Sequence, residues 1–288
     1  MTITRGFLTN HPVGTYFALT LAISWCGLIL VGGPGFFQGS SWQADPRFLP
    51  AIQTMLLGPP VAGLSLTVFH SGTKGLRELL RRLTRWRIGS LWYTVALFGA
   101  PLIQGGVLMV LSLISPVYLP PIVASSEGIG LLVPAIAYGL FGGLLEEIGW
   151  TGFAIPRLRM RFSGLSTGLI VGIAWGVWHI PQMWWVGSTS SETVSAGIFL
   201  PLYFITSIAA LTAYRVLMVW VYGRTESLFV SALMHGSYIL STLFVFAPPT
   251  MGMPFLVYSG VFAVVLWLTV AVVARVAGIG VVSSTGRS

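Results

Sequence analysis

Eight apolar runs constrain this chain more than anything else in it. They lie at roughly 14–33, 49–70, 91–115, 129–155, 164–185, 197–222, 226–247 and 255–277. Each comes near the ~20 residues that an α-helix needs to cross ~30 Å of hydrocarbon. A bilayer has no water to satisfy backbone amides, so such runs are expected as helices that close their own hydrogen bonds. Composition agrees. The 288 residues are 55% hydrophobic and 8% charged, where a soluble domain carries about 25% charged residues. Mean hydropathy is +0.86. The expected fold is all-α: one integral membrane domain over residues 1–288, a polytopic bundle of about eight transmembrane helices.

The polar connections carry the orientation. "GGPGFFQGSSWQADPRF" joins the first two runs and reads as a turn-rich loop. "SGTKGLRELLRRLTRWRIGS" joins the second and third. Within it Leu76, Leu79, Leu80 and Leu83 recur at helical spacing among arginines, so residues 71–89 read as a basic amphipathic helix on the membrane surface, with a solvated charged loop as the alternative. With the N-terminus inside, the cytoplasmic loops hold Lys74, Arg77, Arg81, Arg82, Arg85, Arg87, Arg157, Arg159, Arg161 and Arg224, and the termini add Arg5, Arg275 and Arg287. Only Arg47 falls on the other side. Basic residues collect on the cytoplasmic side, so both termini are expected inside, in a plasma (inner) membrane. The same rule accounts for the net charge of +8 without nucleic acid, for which no motif is present. Arg5 precedes a run long enough to span, and no small-x-small cleavage site follows, so that run reads as a retained helix. Cys26, the one cysteine, has no partner for a disulfide or zinc spacing and reads as a small buried apolar residue. No internal repeat or second soluble domain is visible.

Ionisable residues inside the runs are costly and mark sites by default. Five lie away from the ends of their runs: Glu146 and Glu147 in the fourth run, His179 in the fifth, Arg215 in the sixth and His235 in the seventh. Counting from the arginine at each helix end, Glu146 and His235 lie ~16 Å deep and Arg215 ~13 Å, and counting from a helix start near Gly164 to Ser166, His179 lies roughly 20–22 Å deep, at 1.5 Å per residue. Four helices thus bring polar groups to one layer. Gly139, Gly143 and Glu147 are four apart, and so are Gly168, Gly172 and Gly176, with His179 three further on. Small residues at that spacing let helices approach, so these faces are expected to point inward. The bland readings are structural histidines, an arginine that snorkels or pairs with Glu146 or Glu147, and a glutamate pair meeting cytoplasmic arginines.

Adjacent helix residues point about 100° apart, so Glu146 and Glu147 cannot aim at one atom. One carboxylate facing a cavity can take a proton from water and return it to a leaving amine, while histidines orient the water or donate to a developing oxyanion. Peptide hydrolysis needs this set. Glu146, His179 and His235 also match a catalytic zinc ligand set, although no His-Glu-x-x-His stands on one helix and metal-free water activation is preferred.

The strings "EEIGWTGFAIPRL", "GIAWGVWHIP" and "SALMHGSYIL", in this order, resemble the CPBP intramembrane proteases, the group of CAAX prenyl proteases and bacterial Abi or bacteriocin-processing proteins. Members carry Glu-Glu-x-x-x-Arg, then aromatic-x-x-x-His, then His-x-x-x-Asn on separate helices. The resemblance implies a family-like core at about 124–247 and a conical in-membrane cavity open to the cytoplasm. It implies Glu146 as the water-activating base with Glu147 in support, His179 following Trp175 as a water ligand, and His235 at the oxyanion site. Two positions depart from the pattern. Thr151 stands in place of the arginine, and Ile239 in place of the asparagine. Ser231, Ser237 and Tyr238 are candidate replacement donors, and Arg215 is a candidate for the missing charge.

The expected function is an intramembrane endopeptidase acting near the cytoplasmic face, without cofactor (zinc as the alternative), on a hydrophobic, membrane-associated or prenylated peptide or protein. A non-catalytic immunity or scaffold protein is the alternative. A transporter fits less well, because inverted repeats and helices broken at the midplane are not evident.

Overall fold

The computed structural model describes residues 9–38, 41, 43–120, 122, 130, 132–188, 194–246 and 251–278. Arg5, Arg287 and residues 124–129, 131, 189–193 and 247 of the expected core lie outside them. Among the described residues there is no strand. The helices are α1 (Pro12–Gln38), α2 (Phe48–Met55), α3 (Gly58–Leu83), α4 (Ser90–Ser112), α5 (Leu132–Gly149), α6 (Ile155–Arg159), α7 (Gly164–Trp178), α8 (Ile180–Ser188), α9 (Ala196–Thr225), α10 (Leu228–Leu240) and α11 (Met253–Ala277). One π-helical turn, Trp150–Ala154, joins α5 to α6, and another, Ser241–Val245, follows α10. Seven segments are long and apolar enough to cross a membrane, and an eighth is formed if α7 and α8, bent by 43°, are taken as one span. The chain is a polytopic helical bundle.

Boundaries moved where glycine permits it. α1 continues past the expected end at residue 33 to Gln38, broken at Gly33 (φ 56°), which precedes Pro34. The turn-rich loop is correspondingly shorter. The basic segment is helical through Leu83 and continues α3 across a break at Gly72 (φ 54°). Positive φ is where glycine alone bends without a Cβ penalty. Each break lets one apolar run change direction.

α5 packs on α10 and α3, α7 on α9, and α9 also on α11, while α10 is further flanked by α4. Both glycine stripes lie at these contacts. A methyl added at Gly143 would sit 2.7 Å from the amide nitrogen of Gly236, and one at Gly172 would sit 2.7 Å from the Cα of Thr212. Backbone thus meets backbone between α5 and α10, and nearly so between α7 and α9. In lipid, where helices gain nothing by hiding apolar surface from tails, such close van der Waals contact is what holds them together.

Prolines release carbonyls that neighbouring helices then use. Pro101 offers no amide to Leu97, whose carbonyl accepts from Ser237 Oγ of α10 at 2.9 Å. Cys26 corrects the sequence reading. It is exposed on α1, because the outside of a membrane bundle is itself apolar and a small apolar residue gains little by turning inward.

Candidate active site

The face of α5 set against α10 by Gly139 and Gly143 continues one turn to Glu147. There Glu147 Oε1 lies 2.7 Å from Arg215 Nη1 of α9 and 2.8 Å from His235 Nδ1 of α10. The Thr151 hydroxyl, in the π-helical turn, donates to Oε2 of the same carboxylate. Glu146 points elsewhere. Its Oε2 accepts from Trp175 Nε1 of α7 at 2.8 Å, and its Oε1 stands 3.7 Å from His235 Nε2. The two carboxylates diverge, as helix geometry requires, yet one imidazole bridges them with its opposite nitrogens. All these groups are buried, Glu147 and Arg215 completely.

Arg215 does not snorkel. Its guanidinium lies 4.1 Å over the Trp175 ring as well as against Glu147. Its Nε and Nη2 have no hydrogen-bond partner among the described residues. A charge in this position is tolerated because it is paired and stacked, and stripping either partner from a buried pair costs about 3–5 kcal/mol. Since the paired carboxylate only accepts, His235 Nδ1 carries the hydrogen in that contact.

His179 sits at the break between α7 and α8. Pro181 cannot donate to the carbonyl of Val177, so the helix ends here and His179 becomes its C-cap. Its Nδ1 lies 2.8 Å from the carbonyl oxygen of Trp175. A carbonyl only accepts, so Nδ1 bears the hydrogen and Nε2 is the nitrogen left for other work. Glu146 and His179 line one cavity of about 50 Å³, together with Gln182, Tyr138 and the side chain of Ile239. That exceeds the ~10–15 Å³ one water occupies by the same kind of measure. Gln182 and Tyr138 were not singled out in the sequence. Neither stands in a motif, and only the fold brings them to the cavity.

The candidate replacement donors have other partners. Ser231 Oγ donates to the carbonyl of Ser227 and Ser237 Oγ to that of Leu97, while Tyr238 stacks on Tyr214 with centroids 4.5 Å apart. Among the described residues no group of three or more His, Cys, Asp or Glu side chains is placed to hold a metal ion.

The π-helical turn has a visible support. Pro156 gives no amide to Gly152, and Arg82 Nη2 donates to the freed Gly152 carbonyl at 3.0 Å. π-turns recur at functional sites, and this one puts Thr151 on Glu147.

These features define a class: a polytopic helical membrane protein whose bundle encloses a glutamate–histidine–arginine cluster beside a small, largely apolar cavity. Residues 128–241 match the family described as type II CAAX prenyl endopeptidase Rce1-like. Glu146, Glu147, His179, Arg215 and His235 all fall within that stretch. A CAAX prenyl protease 2 from Methanococcus maripaludis is 33% identical over 76 residues. The aligned stretch covers 26% of this chain and 28% of that relative's length. The likeness to this family is confined to residues 128–241, less than half of the chain.

Proposed function

We propose that the chain is an intramembrane endopeptidase that hydrolyses a peptide bond with water activated by Glu146. The observation that carries this reading is the shared cavity: the Glu146 carboxylate and the His179 ring face the same water-sized space. A water there can give one hydrogen bond to Glu146 and one to the free Nε2 of His179, leaving an oxygen lone pair for a scissile carbonyl. Glu146 takes the proton as the C–O bond forms, then returns it to the amine nitrogen as the C–N bond breaks.

His235 is the residue we assign to the oxyanion, its ring held through Nδ1 by Glu147. Arg215 and Thr151 anchor Glu147. Arg215 thus acts on the reaction by positioning.

The family match supports a prenylated or otherwise hydrophobic substrate presented from the bilayer, and the arginine distribution supports a plasma-membrane protein with both termini cytoplasmic. One observation favours a non-catalytic scaffold instead. Ile239, where the family pattern has a donor, lines the cavity and offers none. Loss of one such donor costs about 10²–10³ in rate, which slows an enzyme without stopping it.

The test is cleavage of a peptide library, prenylated and unmodified, by the detergent-purified protein, with Glu146→Gln and chelator-treated samples alongside. Cleavage lost in the variant and kept under chelation supports the proposal. Loss under chelation with recovery on zinc addition overturns the metal-free mechanism. Peptide binding without cleavage under every condition overturns the enzyme.

A further inference from the structure

A second cleft, of about 450 Å³, contains none of the five ionisable residues discussed above. It is walled by Ser71 and Arg82 of α3, Arg157 and Arg159 of α6, and Tyr222 and Glu226 at the end of α9. Four guanidinium groups line it, Arg81 and Glu78 completing the charged set, against the two carboxylates Glu78 and Glu226. The carboxylates are already engaged. Glu78 takes a two-point contact from Arg81, at 2.7 and 2.8 Å, and Glu226 pairs with Arg85 at 2.7 Å. Arg82 is held by the Tyr222 hydroxyl and the Gly152 carbonyl, both at 3.0 Å. The remaining two lack an anion. Arg157 lies 3.7 Å over the Phe153 ring and donates to the carbonyl of Phe153, Arg159 rests beside Gly223, and neither has a carboxylate partner among the described residues. Two positive charges thus face a polar cleft that could hold several waters or one tetrahedral anion.

The surroundings say where that anion comes from. Leu80, Trp86, Met160 and Phe162 are exposed on the segments that form and flank the cleft. Exposed apolar side chains beside arginines, at the ends of spanning helices, mark the headgroup level of a bilayer. We propose that this cleft binds the phosphate of an anionic phospholipid headgroup, gripped by Arg157 and Arg159. Guanidinium pairs with phosphate in a planar two-point contact, which suits Arg here where lysine would offer a point charge. The site is independent of the hydrolytic reading and stands or falls without it.

The experiment is calorimetric titration of the full chain in neutral detergent with dioctanoyl-phosphatidylglycerol, dioctanoyl-phosphatidylcholine and inorganic phosphate. Phosphatidylglycerol is expected to bind and phosphatidylcholine to bind much more weakly. The Arg157→Gln/Arg159→Gln double variant should weaken phosphatidylglycerol binding about thirtyfold, and Arg159→Gln alone, should the double variant not accumulate, about fivefold. Glu226→Gln removes a repelling carboxylate and should tighten binding. Equal affinity for the two lipids, or unchanged affinity in the arginine variants and in Glu226→Gln, overturns the site. Inorganic phosphate binding as tightly as the lipid overturns the lipid assignment in favour of a soluble phosphate ligand.

Discussion

Glu147 and Arg215, 68 residues apart in the chain, form an ion pair with Nη1 and Oε1 2.7 Å apart and neither side chain reachable by solvent. The arginine comes from α9, whereas the family pattern places one on the glutamate helix itself. At that position this chain has Thr151, which bonds the same carboxylate. The carboxylate is thus held by a charge from a neighbouring helix and by a hydroxyl from the turn that follows its own.

If the pair is a buried unit, breaking it should cost more than removing it. Arg215→Met is expected to destabilise the protein by about 3–5 kcal/mol, because it strands Glu147 in a dry interior. Arg215→Met/Glu147→Gln should recover a large part of that loss. Denaturation of wild type, both singles and the double in one detergent measures the coupling. Additive effects would show that the two side chains do not depend on each other.

Glu146 should be needed for chemistry and not for folding. Glu146→Gln keeps an oxygen to accept from Trp175 Nε1 but cannot take a proton from water. Cleavage should fall by about 10²–10⁴ with the melting temperature unchanged. Rates on a cleaved peptide and a thermal melt of the same preparation check both halves.

Ile239 gives a prediction in the opposite direction. Its side chain faces the cavity that Glu146 and His179 share. Ile239→Asn places an amide donor there and should raise kcat/KM by about 10² if oxyanion stabilisation is short of one contact. An unchanged or lower rate in a folded variant would mean that the donor is supplied elsewhere.

Two glycines on spanning helices should respond with opposite signs. Gly143→Ala forces a methyl to within 2.7 Å of the Gly236 backbone and should cost about 1–3 kcal/mol through overpacking. Gly106→Ala meets nothing within 4 Å and should be neutral or stabilise by up to about 1 kcal/mol through helix propensity. Chemical denaturation of the two variants side by side separates packing from propensity.

The spans, the helical basic segment and the two glycine faces were legible in the sequence because hydropathy and small-residue spacing report what a bilayer demands locally. The five ionisable residues were legible for the same reason, each standing out against an apolar background. What remained hidden depends on contacts between distant segments. Nothing local to Trp150–Ala154 announces a π-turn, since Arg82 from α3 supplies the partner for the carbonyl that Pro156 leaves free. Nor could adjacency show which carboxylate faces the cavity. That follows from Trp175 holding Glu146 on one side and Arg215 holding Glu147 on the other. Pro181 was visible in "GVWHIP", but that it would place His179 on a 43° bend became clear only from the fold.

The backbone contact of Gly139 and Gly143 with Gly236 fixes α5 and α10 to each other without intervening side chains. A bilayer that thickens or thins makes helices tilt, and helices joined this closely tilt as one rigid rod pair. Glu147 and His235, carried one on each rod, are expected to keep their spacing to each other as lipid composition changes.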